Sequence, residues 1–384
     1  MTPEIVRSQR WSGVDIDTDA IAQNVRSLIS LCSPSDVWAV VKANGYGHGA
    51  VVTSRAALAG GAAGLAVALV HEAVELRAAG IDSRILVLSD QPDEQYEALL
   101  AAKAEIMVYR DESVAALAAT AARLGTVARV HLKVDTGMRR VGADPSVVVA
   151  LSNRIADTPN IELVGLATHF ATADVPGHVA IAEQIAQFVS VRALLGAEIE
   201  VHMANSAAAI TLPECRETFV RAGIAMYGID PSAHVRLDRS KFAPALKWWS
   251  KVSFLKEVAA GVHVSYGWRY ATSSVTRLAT VPVGYADGVP RRWSEVGGEV
   301  LIGGRRRPVV GVVTMDQLIV DLGPAHETDI VEVGDEVVLI GTQGAEQISV
   351  EDWADRLGTI GYEVVCQIGE RVPRRAVGLF AEPS

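Results

Sequence analysis

Short apolar runs alternate with helical segments over most of the first 225 residues, and this repeat constrains the fold more than any other feature of the sequence. Each run has the length and character of a strand buried on both faces. The segments between them, such as residues 70–79 and 177–195, are rich in Ala, Glu and Leu and have helical periodicity. Eight strand-then-helix units predict an α/β fold, a (β/α)8 TIM-like barrel with its catalytic groups at the C-terminal ends of the strands. The predicted strands are residues 37–43, 64–69, 84–89, 105–109, 128–135, 162–169, 198–204 and 219–225.

After residue 243 the sequence changes character, and Val-rich alternating segments replace the repeated units. Alternation interrupted by glycine turns predicts a mostly β C-terminal domain. Gly303 and Gly304 predict a turn that places the arginines at 305–307 on an exposed hairpin. Ser349, with Asp352 three residues later, predicts the start of a helix over residues 350–357. The predicted β segments are residues 247–262, 277–283, 299–322 and 329–340, and the predicted domains are residues 1–14 (a segment joining the β domain), 15–243 (the barrel) and 244–384 (the β domain).

Composition narrows the classes of protein to which this chain can belong. A chain of 384 residues is long enough for two domains. Its formal net charge of −10, with no basic stripe, argues against a nucleic-acid partner. Three widely spaced cysteines, Cys32, Cys215 and Cys366, are typical of reduced thiols and predict a cytoplasmic protein. Residues 1–13 lack the pattern of a signal peptide, and the longest apolar run, near residues 61–70, is too short to span a membrane.

Lys42 directly follows the core of the first predicted strand and precedes a glycine-rich turn. Burying an ammonium group is costly, so a lysine at this point suggests a use for its amine. A desolvated lysine has a lowered pKa and can become a nucleophile that forms a Schiff base. The alternative is that Lys42 simply ends the strand and extends into water, and this segment alone leaves both interpretations open.

Polar residues also cluster at the ends of later predicted strands, where a barrel would use them. Lys133 and Asp135 end the fifth strand, and His169 ends the sixth. This clustering favours a functional site at one end of the barrel, and with it the functional interpretation of Lys42. The other residues of the cluster are Met138, Arg139, Arg140, His202, Asn205, Ser206, Arg221 and Gly223.

Taken together, these motifs resemble those of alanine racemase, a bacterial enzyme family that uses pyridoxal 5'-phosphate (PLP) on a barrel followed by a β domain. The resemblance covers nearly the whole chain. Each motif alone is moderately specific, and all of them in order are very specific. The motifs are VKANGYGHG (41–49), HLKVDTGM (131–138), THFATAD (168–174), ANS (204–206), VRAGI (220–224), VSYG (264–267), GYADG (284–288), MDQ (315–317) and GTIGYE (358–363).

The resemblance implies that Lys42 carries PLP as an aldimine and then acts as a general base on one face of the substrate Cα. Racemisation needs a second acid/base on the opposite face, and the family uses a tyrosine from the β domain of the partner subunit. Tyr266 matches that tyrosine, although taken alone it could be an aromatic residue packed in a core. A phenol with a pKa of about 10 is a poor base at neutral pH and needs help from its surroundings. His169 matches the histidine that hydrogen-bonds this tyrosine in the family. The implied assembly is a homodimer with shared active sites.

Arg221 matches the arginine that meets the pyridine nitrogen of the cofactor. Because arginine stays protonated, it cannot readily give that nitrogen a proton, and the ring becomes a weaker electron sink than in aminotransferases. His202 would support Arg221 from behind, or is a satisfied histidine at a strand end. Backbone N–H groups and hydroxyls near the last two strands would bind the phosphate. The other residues matched to cofactor binding are Tyr46, His169, Asn205, Ser206, Gly223, Ile224 and Tyr362.

Arg140 matches the arginine that reaches the substrate carboxylate and the cofactor phenolate oxygen. Lys133 matches a lysine that is often carbamylated in the family, and the resulting anion could orient Arg140. The alternative is an ordinary strand lysine paired with Asp135. No metal is implied. Further residues matched to the site are Met315 and Asp316, which would enter from the partner subunit near the substrate carboxylate, and Tyr285 in a supporting role.

Several positions depart from the family pattern without removing a catalytic group. Arg139 replaces the Gly or Asn commonly found before the matched arginine, and Ala222 replaces a usual proline. Val312 stands where many members have an arginine in the substrate entry channel, and Thr314 where cysteine is frequent. The missing channel arginine bears on the range of substrates.

The function implied by the resemblance is racemisation of L-alanine and D-alanine, which supplies D-alanine for peptidoglycan in the cytoplasm. The expected partners are an amino-acid substrate and a second copy of the chain, with no nucleic acid and no membrane. A racemase for serine or for a broader set of amino acids is an alternative. A non-catalytic PLP carrier is another, but such carriers resemble the first domain only. Decarboxylases of the same fold type are disfavoured because they place an acidic residue where this chain has Arg221.

Overall fold

A computed structural model describes residues 9–195, 198–324 and 330–381 of the chain. The chain divides into two compact units. One comprises Asp19–Pro244, and the other joins the segment that ends at Thr18 to the chain from Ala245 onward. The predicted domain boundaries at residues 14 and 243 remain predictions, and residues 1–8 of the predicted N-terminal segment lie outside the described residues.

Eight parallel strands of the Asp19–Pro244 unit form a nearly closed barrel, which confirms the predicted fold class. Hydrogen-bonded neighbours follow the order β8-β7-β6-β5-β4-β3-β2-β9, where β1 (Ser12–Asp17) belongs to the other unit. Two further backbone hydrogen bonds, from Thr218 N to Val201 O at 3.0 Å and from Arg221 N to Ala204 O at 2.9 Å, join the two edge strands. The barrel strands are β2 (Asp36–Val40), β3 (Gly64–Val67), β4 (Ile85–Val87), β5 (Glu105–Val108), β6 (Ala128–Lys133), β7 (Ile161–Ala167), β8 (Glu200–His202) and β9 (Phe219–Ala222).

Helices alternate with these strands along the chain, as the sequence predicted. The segments predicted at residues 70–79 and 177–195 form helices within one or two residues of those bounds. The helices are α1 (Thr18–Cys32), α2 (Ala50–Ala59), α3 (Val70–Ala78), α4 (Tyr96–Ala101), α5 (Asp111–Leu124), α6 (Val148–Asp157), α7 (Val179–Leu195) and α8 (Ser206–Thr211).

The barrel strands are shorter than predicted, mainly at their C-terminal ends. The first was expected to continue to residue 43 but ends at Val40, and the last was expected to reach residue 225 but ends at Ala222. The reason is local, because both ends run into glycine-containing turns that leave the ladder. As a result, Lys42, His169 and Gly223 lie just beyond strands rather than within them.

Aromatic packing fills part of the barrel interior. Trp38 and Phe219 stack with ring centroids 4.5 Å apart, and both are almost fully buried. They belong to a cluster with Leu86 and Met107. Gly64 makes room for the indole, since a Cβ at this position would lie 2.7 Å from ring atoms of Trp38. A packed interior of this kind holds the strand ends in fixed positions.

The second unit is mostly β, as predicted. Its main sheet has the order β11-β14-β17-β16-β15-β18-β10-β1-β20, β19 pairs with β18, and β12 and β13 form a separate hairpin. The run predicted to begin at residue 329 starts among residues that the structure does not describe, and its strand begins at Glu336. The strands are β10 (Leu246–Lys251), β11 (Phe254–Val258), β12 (His263–Val264), β13 (Tyr270–Ala271), β14 (Thr276–Val281), β15 (Glu299–Ile302), β16 (Arg305–Val310), β17 (Leu318–Pro324), β18 (Glu336–Gln343), β19 (Glu346–Ile348) and β20 (Arg374–Val377).

Two local predictions for this unit are confirmed. Gly303 and Gly304 both adopt positive φ and connect β15 to β16 in a two-residue hairpin. Ser349 caps the next helix, α9 (Val350–Leu357), because its hydroxyl accepts from the Asp352 N–H at 3.0 Å while Asp352 accepts from the Ser349 N–H. A shorter helix, α10 (Gly361–Cys366), follows. Among the described residues, no helix has both the length and the apolar character needed to cross a bilayer.

Asn24 of α1 connects this helix to the chain that leaves the barrel. Its amide is fully buried and donates to the carbonyls of Met226 and Ala243 at 3.0 and 2.8 Å. Its oxygen accepts from the Ala243 N–H at 2.9 Å. One side chain therefore satisfies three backbone groups that have left regular secondary structure.

We expect Asn24→Ala to lower the free energy of unfolding by about 2–4 kcal/mol, because it leaves buried backbone groups without partners. Asn153→Ala, at an exposed position in α6, is the matched control and should change stability little. Thermal unfolding followed by circular dichroism measures both. Equal melting temperatures for the two variants would contradict the role of Asn24.

Candidate active site

Four of the predicted site residues lie at the C-terminal ends of barrel strands. Lys42 follows β2, Lys133 ends β6, His169 follows β7 and Arg221 lies in β9. Because the strands are parallel, their C-terminal ends meet at one mouth of the barrel. The structure therefore brings together side chains that are separated by up to 179 positions in the sequence (Lys42 to Arg221).

Positive charge dominates this mouth. Lys133 is only 7% exposed, and burial together with the charges of Arg221, Arg140 and Lys42 lowers its pKa to about 8. It forms no hydrogen bond or ion pair with any residue that the structure describes. No direct ion pair therefore joins Lys133 to Asp135 among the described residues. Asp135 instead accepts from the backbone N–H groups of Gly137 and Arg139, both at 3.0 Å, so its carboxylate stabilises the following turn.

Arg221 is a buried cation surrounded by uncharged acceptors. Nη1 donates to His202 Nδ1 at 2.7 Å and to the His202 carbonyl at 2.9 Å. Nη2 donates to the carbonyls of Thr168 and Met203 at 2.8 and 3.0 Å, and lies 3.3 Å from His169 Nδ1. Burial lowers the pKa of Arg221 to about 10. Within the described chain its Nε–H has no hydrogen-bond partner, so this donor is available for a ligand.

His169 and His202 are held in their neutral forms. Burial and the charge of Arg221 lower the pKa of both imidazoles well below the usual value. Arginine has no acceptor, so each Nδ1 must accept from Arg221 and each ring carries its proton on Nε2. The location of His202 behind Arg221 agrees with the predicted support. His169 is left with an Nε2–H donor.

The chain after Lys42 has an unusual backbone. Ala43, Asn44, Gly45 and Tyr46 all have φ between 52° and 61°, which forms a left-handed turn over Lys42–Tyr46. Such a conformation costs roughly 1–2 kcal/mol per residue other than glycine. The structure therefore has to stabilise this turn from outside.

Glu72 provides part of that stabilisation, a role that no sequence pattern indicated. Its side chain is buried, and Oε1 accepts from the Ala43 N–H at 2.6 Å. Oε2 accepts from the N–H groups of Ala68 and Leu69 at 2.8 and 3.0 Å. One carboxylate thus joins the turn that follows Lys42 to the end of β3. Its position in the first turn of α3 is also typical of an ordinary helix-start glutamate, so the sequence pattern has no specific signal for this function.

A second group of predicted residues lies near the end of β9. The Ser206 hydroxyl accepts from the Gly223 N–H at 2.9 Å, so its own proton is free to be donated to another group. A Cβ on Gly223 would lie 2.5 Å from the Tyr46 hydroxyl, so the glycine allows the tyrosine to approach. Asn205 caps α8 by accepting from the Ala208 N–H, and Ile224 begins a short 3-10 turn.

Arg140 is exposed and forms no hydrogen bond or ion pair with the described residues. It contributes to the positive field at Lys133 and His169. A guanidinium with all its donors available suits a carboxylate ligand.

The remaining predicted residues belong to the β unit. Tyr266 is 69% exposed, so it is not a core aromatic residue. It lies between Ser265 and Gly267, which both have positive φ, and the Ser265 hydroxyl is anchored on the Val312 carbonyl at 2.6 Å. The backbone thus presents the Tyr266 phenol on the surface of this unit.

The segments around Met315 and Tyr285 are joined by backbone hydrogen bonds, including one from Ala286 N to Met315 O at 3.0 Å. Met315 is half-exposed, as is Tyr285. Asp316 forms an ion pair with Arg371 at 2.7 Å. Tyr362 lies in α10 and is partly exposed.

Family models match both units of the chain. The model described as "Alanine racemase, N-terminal domain" matches residues 16–231, and "Alanine racemase, C-terminal domain" matches residues 245–376.

Relatives and solved structures agree with these matches. An alanine racemase of Symbiobacterium thermophilum is 45% identical over 369 residues, covering 95% of this chain and 97% of the relative. The crystal structure of alanine racemase from D-cycloserine-producing Streptomyces lavendulae is 39% identical, has a TM-score of 0.91 and covers 98% of both chains. A histidine racemase of Leuconostoc mesenteroides is 28% identical, with a TM-score of 0.89 and coverage of 96% and 99%.

We expect Glu72→Gln to destabilise the protein by about 1–3 kcal/mol, since the new NH2 group cannot accept a hydrogen bond and faces a backbone N–H. For a barrel of this size, the melting temperature should fall by roughly 2–4 °C per kcal/mol. Glu75→Gln, exposed on the same helix, is the control. A melting temperature for Glu72→Gln that equals the control would show that the carboxylate does not stabilise the turn.

Proposed function

The chain belongs to the alanine racemase family, a family of isomerases, and we propose that it interconverts L-alanine and D-alanine with PLP at the barrel mouth. The observation that carries this proposal is the convergence of Lys42, Lys133, Arg140 and Arg221. Like charges so close together favour an anionic occupant. PLP has a phosphate, and an amino acid has a carboxylate.

The residues at the mouth fit PLP chemically. Lys42 supplies the amine for a covalent link to the aldehyde, and Glu72 fixes the backbone that follows it. The Ser206 hydroxyl and the Tyr46 phenol supply donors for the phosphate. The resemblance to the family assigns three further residues to cofactor binding: Asn205, Ile224 and Tyr362. The free Nε–H of Arg221 supplies a donor for the pyridine nitrogen.

When bound, PLP supplies an electron sink that makes the Cα proton of an attached amino acid more acidic. Arg221 moderates that sink because it donates a hydrogen bond but holds its own proton. The neutral forms of His169 and His202 support this state, since neither imidazole brings a second positive charge to the ring.

Two groups would exchange the Cα proton, one on each face of the substrate. Lys42 serves one face, and Tyr266 of the partner subunit serves the other. The exposure of Tyr266 supports a role outside its own unit. The Nε2–H of His169 is a donor that would favour the ionised phenol. Met315 and Asp316 of the partner subunit would approach the substrate carboxylate, with Tyr285 supporting them.

Lys133 is the proposed carbamylation site. Carbamate formation needs an unprotonated amine, and a pKa of about 8 leaves a larger neutral fraction near pH 7 than an ordinary lysine has. The resulting anion would lie among cations and hold Arg140 toward the substrate carboxylate. Among the described residues, Lys133 makes no direct hydrogen bond or ion pair with an acidic side chain, which supports this assignment.

One observation supports a second class of amino-acid substrate. The histidine racemase of Leuconostoc mesenteroides shares the fold at a TM-score of 0.89, so this scaffold also accommodates a larger amino acid in a relative. Val312 stands where many members of the family have a channel arginine, and its side chain is buried. A serine or broad-specificity racemase is therefore the alternative. Supply of D-alanine for peptidoglycan in the cytoplasm is the proposed role, while the match to both family domains disfavours a PLP carrier.

The experiment combines visible absorbance after addition of PLP with conversion assays on L-alanine and L-serine. We expect a band from the covalent link and faster turnover of alanine. Lys42→Arg should lose both, whereas Lys103→Arg, at an exposed position, should lose neither. Tyr266→Phe should keep the band and lose about 10²–10⁴-fold in racemisation.

The cofactor, the substrate and the two-base assignment can each be contradicted separately. No band with the unmodified protein would overturn the cofactor assignment. A band with little turnover of alanine would move the function to another amino acid or to a carrier. Full racemisation in both directions by Tyr266→Phe would contradict the two-base assignment.

A further inference from the structure

A chain of hydrogen bonds leads from Arg221 into the barrel, away from the proposed ligand. His202 Nδ1 lies 2.7 Å from Arg221 Nη1, and His202 Nε2 lies 3.0 Å from His131 Nδ1. His131 Nε2 in turn lies 2.8 Å from Glu105 Oε2. Both histidines are fully buried and Glu105 is 4% exposed. This series of hydrogen bonds thus connects β9 to β8, then to β6 and β5.

The two end residues, Arg221 and Glu105, determine the direction of every hydrogen bond between them. Arginine can only donate, so His202 Nδ1 accepts and the ring proton is on Nε2. His202 then donates to His131 Nδ1, and His131 must have its own proton on Nε2. That proton is donated to Glu105, whose ionised carboxylate can only accept. Both rings are neutral and have the same tautomer.

Packing leaves these rings little freedom to rotate. The His202 ring stacks on Phe219 with centroids 4.2 Å apart and an interplanar angle of 18°. Gly165 on the intervening strand β7 is opposite His131 in the register. A Cβ at Gly165 would lie 2.0 Å from His131 Nδ1, so only glycine leaves space for the pair of rings.

The Glu105 end of this series of hydrogen bonds has a surplus of negative charge. Arg84 binds both Glu105, at 2.8 Å, and Glu200, at 2.6 Å, so one cation faces two carboxylates. Arg129 contacts Glu105 at 3.3 Å but also pairs with Glu162. Burial alone would raise the pKa of Glu105, but hydrogen bonds from His131 and Arg84 outweigh it and lower the pKa to about 2. Glu105 therefore stays ionised at physiological pH.

Arg221, at the near end, has no carboxylate in hydrogen-bond contact among the described residues. Its acceptors are carbonyls and neutral imidazoles. A buried cation without an anion is unstable unless charge is supplied through polarised groups. The hydrogen-bonded imidazoles are such groups, because each donor strengthens the acceptor on the other side of its ring.

We propose that Glu105 is a positioning residue for Arg221, acting through His131 and His202 as a buried relay that fixes the tautomer of His202 and partly balances the guanidinium charge. Its catalytic consequence rests on the proposed function, since the free Nε–H of Arg221 matters only if a cofactor meets it. The hydrogen-bond direction does not depend on that function and can be tested without any ligand.

The first test uses the unmodified protein with 15N in its histidine rings. NMR at pH 7 should show two buried histidines, each with a protonated Nε2 and an unprotonated Nδ1. His131→Gln and His202→Gln assign the signals. A proton on Nδ1 of either ring, or a doubly protonated ring, would overturn the relay.

The second test compares Glu105→Gln with Glu200→Gln. Both remove one negative charge from the same Arg84, but of the two only Glu105 is hydrogen-bonded to His131. We expect Glu105→Gln to lower kcat for racemisation about tenfold or more with little change in KM, as outer hydrogen-bond partners of active groups commonly do. Glu200→Gln should keep kcat within about twofold. Equal losses of kcat in the two variants would show that Glu105 has only a structural role.

The outcomes separate the two proposals. If the protein takes up no PLP, the proposed function fails, while the histidine signals still report on the relay. If PLP binds and alanine is racemised but the two variants behave alike, the relay fails and the proposed function stands. If Glu105→Gln does not fold, the tautomers of the unmodified protein decide the question.

Discussion

Mutual repulsion among the positive side chains at the barrel mouth is the constraint on which the site depends. Lys133 and Arg221 are buried, and each has a lowered pKa, because burial and, for Lys133, neighbouring cations disfavour its charged form. A parallel barrel makes this convergence possible, since it directs the C-terminal ends of distant strands to one place. An anionic ligand relieves the repulsion. The same field that disfavours the charged side chains therefore favours an anionic ligand at the mouth.

Packing inside the barrel supports the charged side chains at the mouth. Stacked rings, from Trp38 through Phe219 to His202, fill the space below the site and set the plane of the imidazole that contacts Arg221. Glu72 acts similarly on the other side, where its carboxylate holds the left-handed turn that follows Lys42. Rigid support of this kind keeps reactive groups in productive positions without depending on the ligand.

The fold could be predicted from sequence because strand-then-helix periodicity is a local pattern repeated eight times. The strand-end residues Lys42, Lys133 and His169 could be found for the same reason. Glu72 and Glu105 could not, because each acts through contacts that depend on three-dimensional position. An acidic residue at the start of a helix or strand has many ordinary roles. The first barrel strand also ends before its predicted end at residue 43, since a left-handed turn of mostly non-glycine residues has no sequence signature.

In the proposed mechanism, Arg221 meets the cofactor as a permanent donor that keeps its own proton. The most direct measurement is the 15N chemical shift of the pyridine nitrogen in 15N-labelled PLP bound to the protein. We expect the shift of an unprotonated, hydrogen-bonded pyridine that does not change between about pH 6 and 9. The shift of a protonated pyridinium, or a transition between the two forms in this range, would contradict it.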